Sequence, residues 1–313
     1  MAFVLPPMFI VFNAASGQAD TLRASEQVAS RLRTAGQAHH IFVAQAPGEL
    51  GSVIGRAVHG ARDAGGAVVA AGGDGTLNAV AQAAWNSRLL MGVLPLGTFN
   101  YFGRAHGMPT ELDDAVDALL RARPRPVPLG LLGERVFLVN ASVGLYPRLL
   151  LQREQAKRRF GRHRGVALLS GLRTLLRGGS VMTLQLHAQG QMRVVRTRTL
   201  FVGNNDLQLH ALGLREALAV EQGRLAAITL QPLSTLRTLW LVLRGALGRL
   251  DGAEGVDSFA FDRLVVQPRR RATSMQVAMD GEVLRMATPL VFQTAPHPLQ
   301  LLVPPDEDEE PDA

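Results

Sequence analysis

The chain has no cysteine among its 313 residues. Disulfides, thiol nucleophiles and cysteine-ligated zinc are therefore excluded, and a reducing compartment fits the composition. Lysine is almost as scarce: Lys157 is the only one, so nearly all of the cationic charge is arginine. Lys157 lies in a basic run and not in a glycine-rich loop. That argues against a Walker-type lysine, a Schiff-base lysine and the strand lysine of protein kinases. Any phosphate clamp must then use backbone amides, arginine, hydroxyls and metal. No uncharged apolar run reaches spanning length; the richest, Leu233 to Leu250, is interrupted by Arg237, Arg244 and Arg249. Met1 to Phe12 is apolar without a basic leader or a small-residue cleavage site, and is expected to be a first strand rather than a signal peptide. The histidines show no metal-ligand spacing, and no nucleophile elbow or Ser-His-Asp arrangement can be assigned.

What is present is a folded, basic chain. Hydrophobic residues make up 47% of it, and 313 residues exceed one typical core, so two domains are expected. The net charge is +7, and setting aside the six acids of the tail, Asp306 to Glu310 and Asp312, leaves +13 on the remainder. Such a body favours anionic partners: nucleotides, anionic lipid surfaces or nucleic acid. The tail is expected to be disordered.

The first third alternates strand-like and helix-like segments. Strands are expected at Met8–Phe12, His40–Val43, Ala67–Ala71 and Leu89–Leu94. Helices are expected at Thr21–Thr34, Leu50–Ala64, Asn78–Trp85 and Leu112–Ala122. Repeated strand-loop-helix units imply a parallel sheet covered by helices, with ligands at the carboxyl ends of its strands. Arg121 to Pro128 reads as a linker. Beyond it, short and often alternating strands at Arg135–Ala141, Met182–His187, Arg193–Val202, Arg224–Leu230, Phe259–Val266, Met275–Ala278 and Leu290–Thr294 imply a mainly antiparallel domain with helical insertions. The expected boundaries are 1–126 for an α/β nucleotide-binding domain, 127–304 for a β-rich domain and 305–313 for the acidic tail.

The densest chemical signal is Gly72-Gly73-Asp74-Gly75-Thr76-Leu77-Asn78, placed between an apolar strand and a helix. Glycines at such a junction let backbone N–H groups approach a bulky anion closely. A carboxylate there would repel that anion unless a metal lies between them or the acid does chemistry. The plain alternative is a tight turn with a solvated aspartate. Two further polar glycine loops follow buried strands on the same sheet edge. Asn13-Ala14-Ala15-Ser16-Gly17 offers one donor cluster, and Pro95-Leu96-Gly97-Thr98-Phe99-Asn100 another. Three such loops are hard to explain as unrelated turns.

These motifs, in this order and spacing, resemble the diacylglycerol kinase catalytic domain, a family that includes bacterial soluble lipid kinases and sphingosine kinases. Asn140-Ala141-Ser142-Val143-Gly144, Phe201-Val202-Gly203-Asn204-Asn205 and Asp280-Gly281-Glu282 continue the resemblance from Met8 to about Val303. The Gly-Gly-Asp-Gly-Thr element alone is shared with NAD kinases and is similar to phosphofructokinase loops. The resemblance implies an α/β first domain of that type and ATP-dependent phosphorylation of a lipid hydroxyl, with the nucleotide between the domains. It implies contacts from Asn13, Ser16, Gly17, Gly72, Gly73, Asp74, Gly75, Thr76, Asn78, Gly97, Thr98 and Asn100. Asp74 would act near Mg²⁺, and Glu282 would accept the proton with Asp280 beside it. From the residues alone, Asp280-Gly281-Glu282 reads better as a hairpin turn; only the resemblance favours a catalytic role.

Three departures from the family pattern stand out. Tyr101 follows Asn100 where many members have aspartate. Ala44 stands where a threonine is common. The family's Leu-Asp-Asp-Gly turn, which holds a structural Mg²⁺ in some bacterial members, is Val220-Glu221-Gln222-Gly223 here. A hard dication favours charged oxygen ligands, so a metal site at Gln222 is expected to be weak or absent.

Arg153, Lys157, Arg158, Arg159, Arg162 and Arg164, followed by leucines at helical spacing, suit docking on an anionic membrane surface; a solvated helix packed on the second domain is the equal alternative. The leucines of Leu233–Leu250 could shape an acyl-chain entrance, although core packing is the commoner use of such a stripe. The leading expectation is a cytoplasmic lipid kinase acting peripherally at the inner membrane face. The alternatives are a catalytically degenerate lipid-binding or regulatory protein and an NAD-kinase-like small-molecule kinase. Nucleic-acid binding is not expected, because the arginine run lacks an aromatic platform.

Overall fold

The computed structural model describes residues 3–14, 18–46, 48–151, 181–270 and 272–305. The chain divides into two compact units, Met1–Pro128 with Pro296–Ala313, and Leu129–Ala295.

The first unit is built on a six-stranded sheet ordered β2 (His39–Ala44), β1 (Met8–Asn13), β3 (Ala67–Gly72), β4 (Leu90–Pro95), β18 (Leu299–Val303) and β5 (Arg123–Val127). Strands β1 (Met8–Asn13), β2 (His39–Ala44), β3 (Ala67–Gly72) and β4 (Leu90–Pro95) run parallel. Every residue of β3 is buried, which explains its uninterrupted apolar run: a central parallel strand is covered on both faces. Helices Gln18–Thr34, Leu50–Asp63, Asp74–Ser87 and Leu112–Arg121 make the crossovers. A core of Met8, Ile10, Phe12, Val28, Leu32, Val69, Leu94 and Leu119 fills the space between sheet and helices.

The sheet is completed from the far end of the sequence. Strand β18 (Leu299–Val303) lies parallel to β4, and Leu302 joins the first unit's core. Their position in the chain, within 127–304, puts these residues in the expected second domain. A strand of five residues beside a parallel neighbour carries no mark of which sheet it will join. The expected linker also differs, because Arg123–Val127 forms β5, antiparallel to β18 at the sheet edge. Pro124 and Pro126 alternate along it, so their missing N–H groups fall on one side, which an edge strand can turn away from its neighbour.

The second unit contains two antiparallel six-stranded sheets: one ordered β10 (Gln191–Thr197), β9 (Met182–Ala188), β14 (Arg263–Pro268), β17 (Leu290–Thr294), β6 (Gly130–Leu132) and β7 (Arg135–Phe137), the other β13 (Val256–Phe261), β12 (Leu225–Leu230), β11 (Thr199–Gly203), β8 (Asn140–Gly144), β15 (Ser274–Met279) and β16 (Glu282–Ala287). One core is shared between them, with Phe137, Leu186, Leu264 and Phe292 from the first sheet and Val143, Val202, Phe261 and Val277 from the second. Three segments that read as single strands are each divided between the sheets. Arg193–Val202 becomes β10 (Gln191–Thr197) and β11 (Thr199–Gly203). Phe259–Val266 becomes β13 (Val256–Phe261) and β14 (Arg263–Pro268). Arg135–Ala141 becomes β7 (Arg135–Phe137) and β8 (Asn140–Gly144). In the first two the buried positions change parity, from Thr197 to Leu200 and Val202, and from Phe261 to Leu264 and Val266. A one-residue slip turns the apolar set to the opposite face, so a strand must change sheets there to keep it inside.

Candidate functional site

The Gly72–Asn78 stretch is a helix start more than a loop. The helix runs Asp74–Ser87, four residues earlier at its start than the expected Asn78, with extended Gly73 as its N-cap. The Gly73 carbonyl accepts from the N–H groups of Thr76 and Leu77 at 2.9 and 3.1 Å. Asp74 occupies the first turn, where a negative charge meets the positive end of the helix dipole. Apolar periodicity begins only at Leu77 and Val80, so the polar first turn carries no helical pattern in the sequence. Thr76 is buried, and a Cβ on Gly72 would lie 2.8 Å from the Thr76 Cβ. Gly75 is exposed and Asn78 half-buried.

The loop after β4 packs directly on this helix start. The Leu96 N–H donates to the Gly72 carbonyl at 3.0 Å. A Cβ on Gly97 would lie 2.6 Å from the Gly73 Cα. Asn100 holds the loop closed: its Oδ1 accepts from the Gly97 N–H at 2.9 Å, and its Nδ2 donates to the Gly97 carbonyl at 2.8 Å. Asn100 is buried and left-handed (φ 50°), a conformation asparagine tolerates better than most side chains. Its side chain therefore shapes the loop rather than facing a ligand. Thr98 is exposed, and Phe99 stacks on Tyr101 with centroids 5.9 Å apart. That aromatic pair beside the loop is not legible as a contact from the sequence.

The third motif joins through Asn13, whose Nδ2 donates to Thr76 Oγ1 at 3.3 Å. Ser16 and Gly17 lie outside the described residues. Asn13, the Gly72–Thr76 turn and the Gly97–Asn100 loop thus meet at the carboxyl ends of β1, β3 and β4, three adjacent strands of one sheet.

Asp74 is the electrostatic centre of this cluster. Burial raises its carboxyl above the ordinary value, opposed by hydrogen bonds from the backbone N–H groups of Asn100 and of Asp74 itself. Its Oδ1 is buried without a hydrogen-bond partner. An orphaned carboxylate oxygen beside glycine-lined backbone suits a cation that bridges to phosphate oxygens. Among the described residues no group of three or more acidic or histidine side chains could hold a metal by itself. A cation at Asp74 would therefore depend on a ligand's oxygens and water, the usual arrangement for Mg²⁺ with a nucleotide.

In the second unit, Asp280 and Gly281 form the two-residue turn between β15 (Ser274–Met279) and β16 (Glu282–Ala287). Both have positive φ, 44° and 88°, as a tight primed hairpin turn requires. The Asp280 carboxylate accepts from the backbone N–H groups of Leu138, Val139 and Asn140 at 2.7, 2.9 and 2.9 Å. These are the residues at which the chain passes from β7 to β8, where the amides leave one ladder and enter another. Asp280 therefore closes a corner between sheets. Glu282 is exposed at the first position of β16.

Gln222 caps the helix Ala217–Glu221, and its neighbour Glu221 pairs with His210, Oε1 to Nε2 at 2.7 Å. Arg153, Lys157, Arg158, Arg159, Arg162 and Arg164 lie outside the described residues. Among the described residues, no helix is long and apolar enough to cross a membrane.

Residues 7–132 match a family model described as the diacylglycerol kinase catalytic domain. Over 137 residues, 43% of this chain, the chain is 32% identical to a diacylglycerol kinase of Staphylococcus aureus (strain MRSA252), covering 42% of that relative. A diacylglycerol kinase of Staphylococcus saprophyticus is 31% identical over the same length, with 44% of it covered. The matched stretch thus spans less than half of these relatives. Two solved structures from Bacillus anthracis str. Sterne share the fold. One superposes with a TM-score of 0.74 at 16% identity, over 97% of this chain and 99% of its own. The other, described as a diacylglycerol kinase, gives 0.68 at 14% identity, over 97% and 99%.

Proposed function

We propose, from the premise that residues 7–132 belong to the diacylglycerol kinase catalytic-domain family, that this chain is a lipid kinase acting on a hydroxyl of a diacylglycerol-like lipid with ATP and Mg²⁺. The observation that supports this reading best is the Gly73–Gly97 contact beside the unpartnered Asp74 Oδ1. ATP would supply the phosphoryl group, and Mg²⁺ would neutralise charge on it. The chain's own part is to bind and orient. Backbone amides at Gly73 and Gly75 and at Thr98 would meet phosphate oxygens, and glycine leaves room for that approach; the Gly97 amide is held by Asn100. Asp74 would hold the cation. Thr76 and Asn13 would keep the turn in place, and Asn100 would keep the second loop closed.

Glu282 is the proposed proton acceptor for the lipid hydroxyl. It is exposed and carries a carboxylate on a rigid strand, whereas Asp280 is committed to three backbone amides. Asp280 is accordingly proposed to position the hairpin that presents Glu282. The site of action would be peripheral, at the inner face of a membrane.

The test is phosphoryl transfer from labelled ATP to extracted membrane lipids, with Mg²⁺ present or chelated, and with diacylglycerol and NAD compared as pure acceptors. Mg²⁺-dependent labelling of a lipid is expected. Labelling of NAD alone would replace this reading with a small-molecule kinase. Nucleotide and liposome binding without turnover would replace it with a binding protein.

A further inference from the structure

The helix Thr235–Ala246 carries its apolar stripe outward. Leu236 is 80% exposed, Leu247 61%, Trp240 59%, Leu243 49% and Leu239 36%, whereas Thr238 and Leu241 are 4% and 7% exposed. At about 100° per residue, the five exposed side chains fall within an arc of about 100°, and the buried pair lies on the opposite side. The stripe is therefore not the core-packing face that its sequence suggests. Single exposed leucines are ordinary, but five large apolar side chains on one arc mark an interaction surface.

Charge selects the occupant. The helix contains no acidic residue. By the same angular count, Arg237 and Arg244 lie together on one flank of the stripe, and Arg249 follows just beyond the helix. Arg237 pairs with Glu254 at 2.9 Å, both well exposed, and Arg244 Nε donates to the Arg249 carbonyl at 2.8 Å. Those contacts hold the guanidinium groups at the rim and leave donors over. A second copy of this face would bring the same arginines against each other, on a chain whose charge outside the tail is already +13. Size also disfavours a copy: twelve residues make a helix about 18 Å long, and one face of it offers a few hundred Å² against the roughly 800 Å² per partner of a stable interface. Apolar side chains facing out, tryptophan among them and arginine alongside, match the depth profile of an anionic bilayer: acyl chains below, headgroup phosphates above.

We infer that Leu236, Leu239, Trp240, Leu243 and Leu247 form a membrane-docking face, with the helix lying in the interfacial plane of an anionic bilayer and Arg237 and Arg244 at headgroup level. Its residues are other than those of the Arg153–Arg164 run. The inference builds on the lipid-kinase reading, because such an enzyme must reach a substrate embedded in a bilayer, but it is tested by binding alone.

The chain has two tryptophans, Trp85 and Trp240. Trp85→Phe leaves Trp240 as the reporter, and Trp240→Phe is the companion control. The probe is a vesicle of phosphatidylcholine and phosphatidylglycerol, with and without brominated acyl chains. The Trp85→Phe protein should show a blue shift on vesicle addition and quenching by the brominated lipid, weaker without phosphatidylglycerol; the control should show neither. Leu236→Glu and Leu243→Glu should each weaken vesicle binding about tenfold or more, the scale set by burying one leucine. Both side chains are exposed, and should either variant fail to fold, quenching of the parent still decides. Trp240 emission unmoved by vesicles overturns the proposal. So does emission already blue-shifted without lipid: dependence on protein concentration would show a second copy on the face, and independence a segment of the chain itself. Vesicle binding in a protein that labels no lipid would leave the docking face standing and sink the kinase reading.

Discussion

Gly73 and Gly97 lie so close that a side chain on the second would strike the backbone of the first: a Cβ on Gly97 would sit 2.6 Å from the Gly73 Cα. Two motifs more than twenty residues apart in the chain are thereby one surface. Their glycines serve the contact between loops as well as the space left for a ligand. Gly97→Ala should push the loops apart, costing about 1–3 kcal/mol in stability, the usual scale of overpacking. ATP affinity should fall with it. Chemical denaturation together with nucleotide titration measures both, and a variant with unchanged stability and affinity would refute the contact.

Asp74 should make the protein less stable as pH rises. Burial raises its carboxyl in the folded state, so the native chain holds this proton to higher pH than the unfolded chain does. Stability from this group is present below the unfolded value and is lost as pH rises through the folded value. Asp74→Asn should therefore flatten this part of the stability profile and raise the melting temperature at neutral pH without ligand. The same variant should lose about 100-fold or more in turnover, as removal of one preorganised charge contact does. Thermal melts across acid to neutral pH, beside an activity assay, separate the two effects. A melting temperature lowered at neutral pH would contradict the assignment.

Asp280 and Glu282 should separate cleanly. Asp280→Ala leaves three amides of a buried corner without their acceptor, so it should cost about 3 kcal/mol or more. Glu282→Gln, at an exposed position, should change stability by less than about 0.5 kcal/mol. It should nevertheless lower kcat about 100-fold or more if Glu282 accepts the proton. Urea unfolding of both variants and a kinetic assay of the second test this division. A destabilised Glu282→Gln with normal kcat would reverse it.

Truncation should expose the dependence of the first unit on the end of the chain. Leu299, Leu301, Leu302 and Val303 are all buried, and β18 lies between β4 and β5. A fragment ending at residue 128 should therefore be largely unfolded or aggregated, because it exposes the edge of β4 and frees β5. Removal of residues 306–313 should leave the melting temperature unchanged. Circular dichroism and size-exclusion chromatography of the two truncated proteins distinguish these outcomes.

The parallel α/β unit was legible because its central strands are short and apolar, Ala67–Gly72 lies between Gly66 and Gly73, and helices with one apolar face follow them. The motifs at Asn13, Asp74 and Gly97 were legible as chemistry for the same reason: glycine, hydroxyl and carboxylate at strand ends have few purely structural uses. Local pattern decided the type of most elements, though Arg123–Val127 is a strand where a linker is expected, and it marked the residues proposed to meet phosphate. It did not decide partners. Whether Leu299–Val303 joins the first sheet, whether Arg193–Val202 stays in one sheet, and whether Asp280 faces solvent or three amides all depend on groups distant in the chain. The outward stripe of Leu236 and Trp240 belongs with these. An amphipathic helix has the same sequence whether its apolar side meets a core or a bilayer, and only the packing of Thr238 and Leu241 on the opposite side shows which way it turns. Sequence alone determined the class of each domain and marked the residues proposed to face phosphate, because both follow from local periodicity and backbone freedom. The tertiary structure decided which carboxylate is committed, which glycines touch and which apolar face is left uncovered, because those are matters of distance between residues that the chain order does not encode.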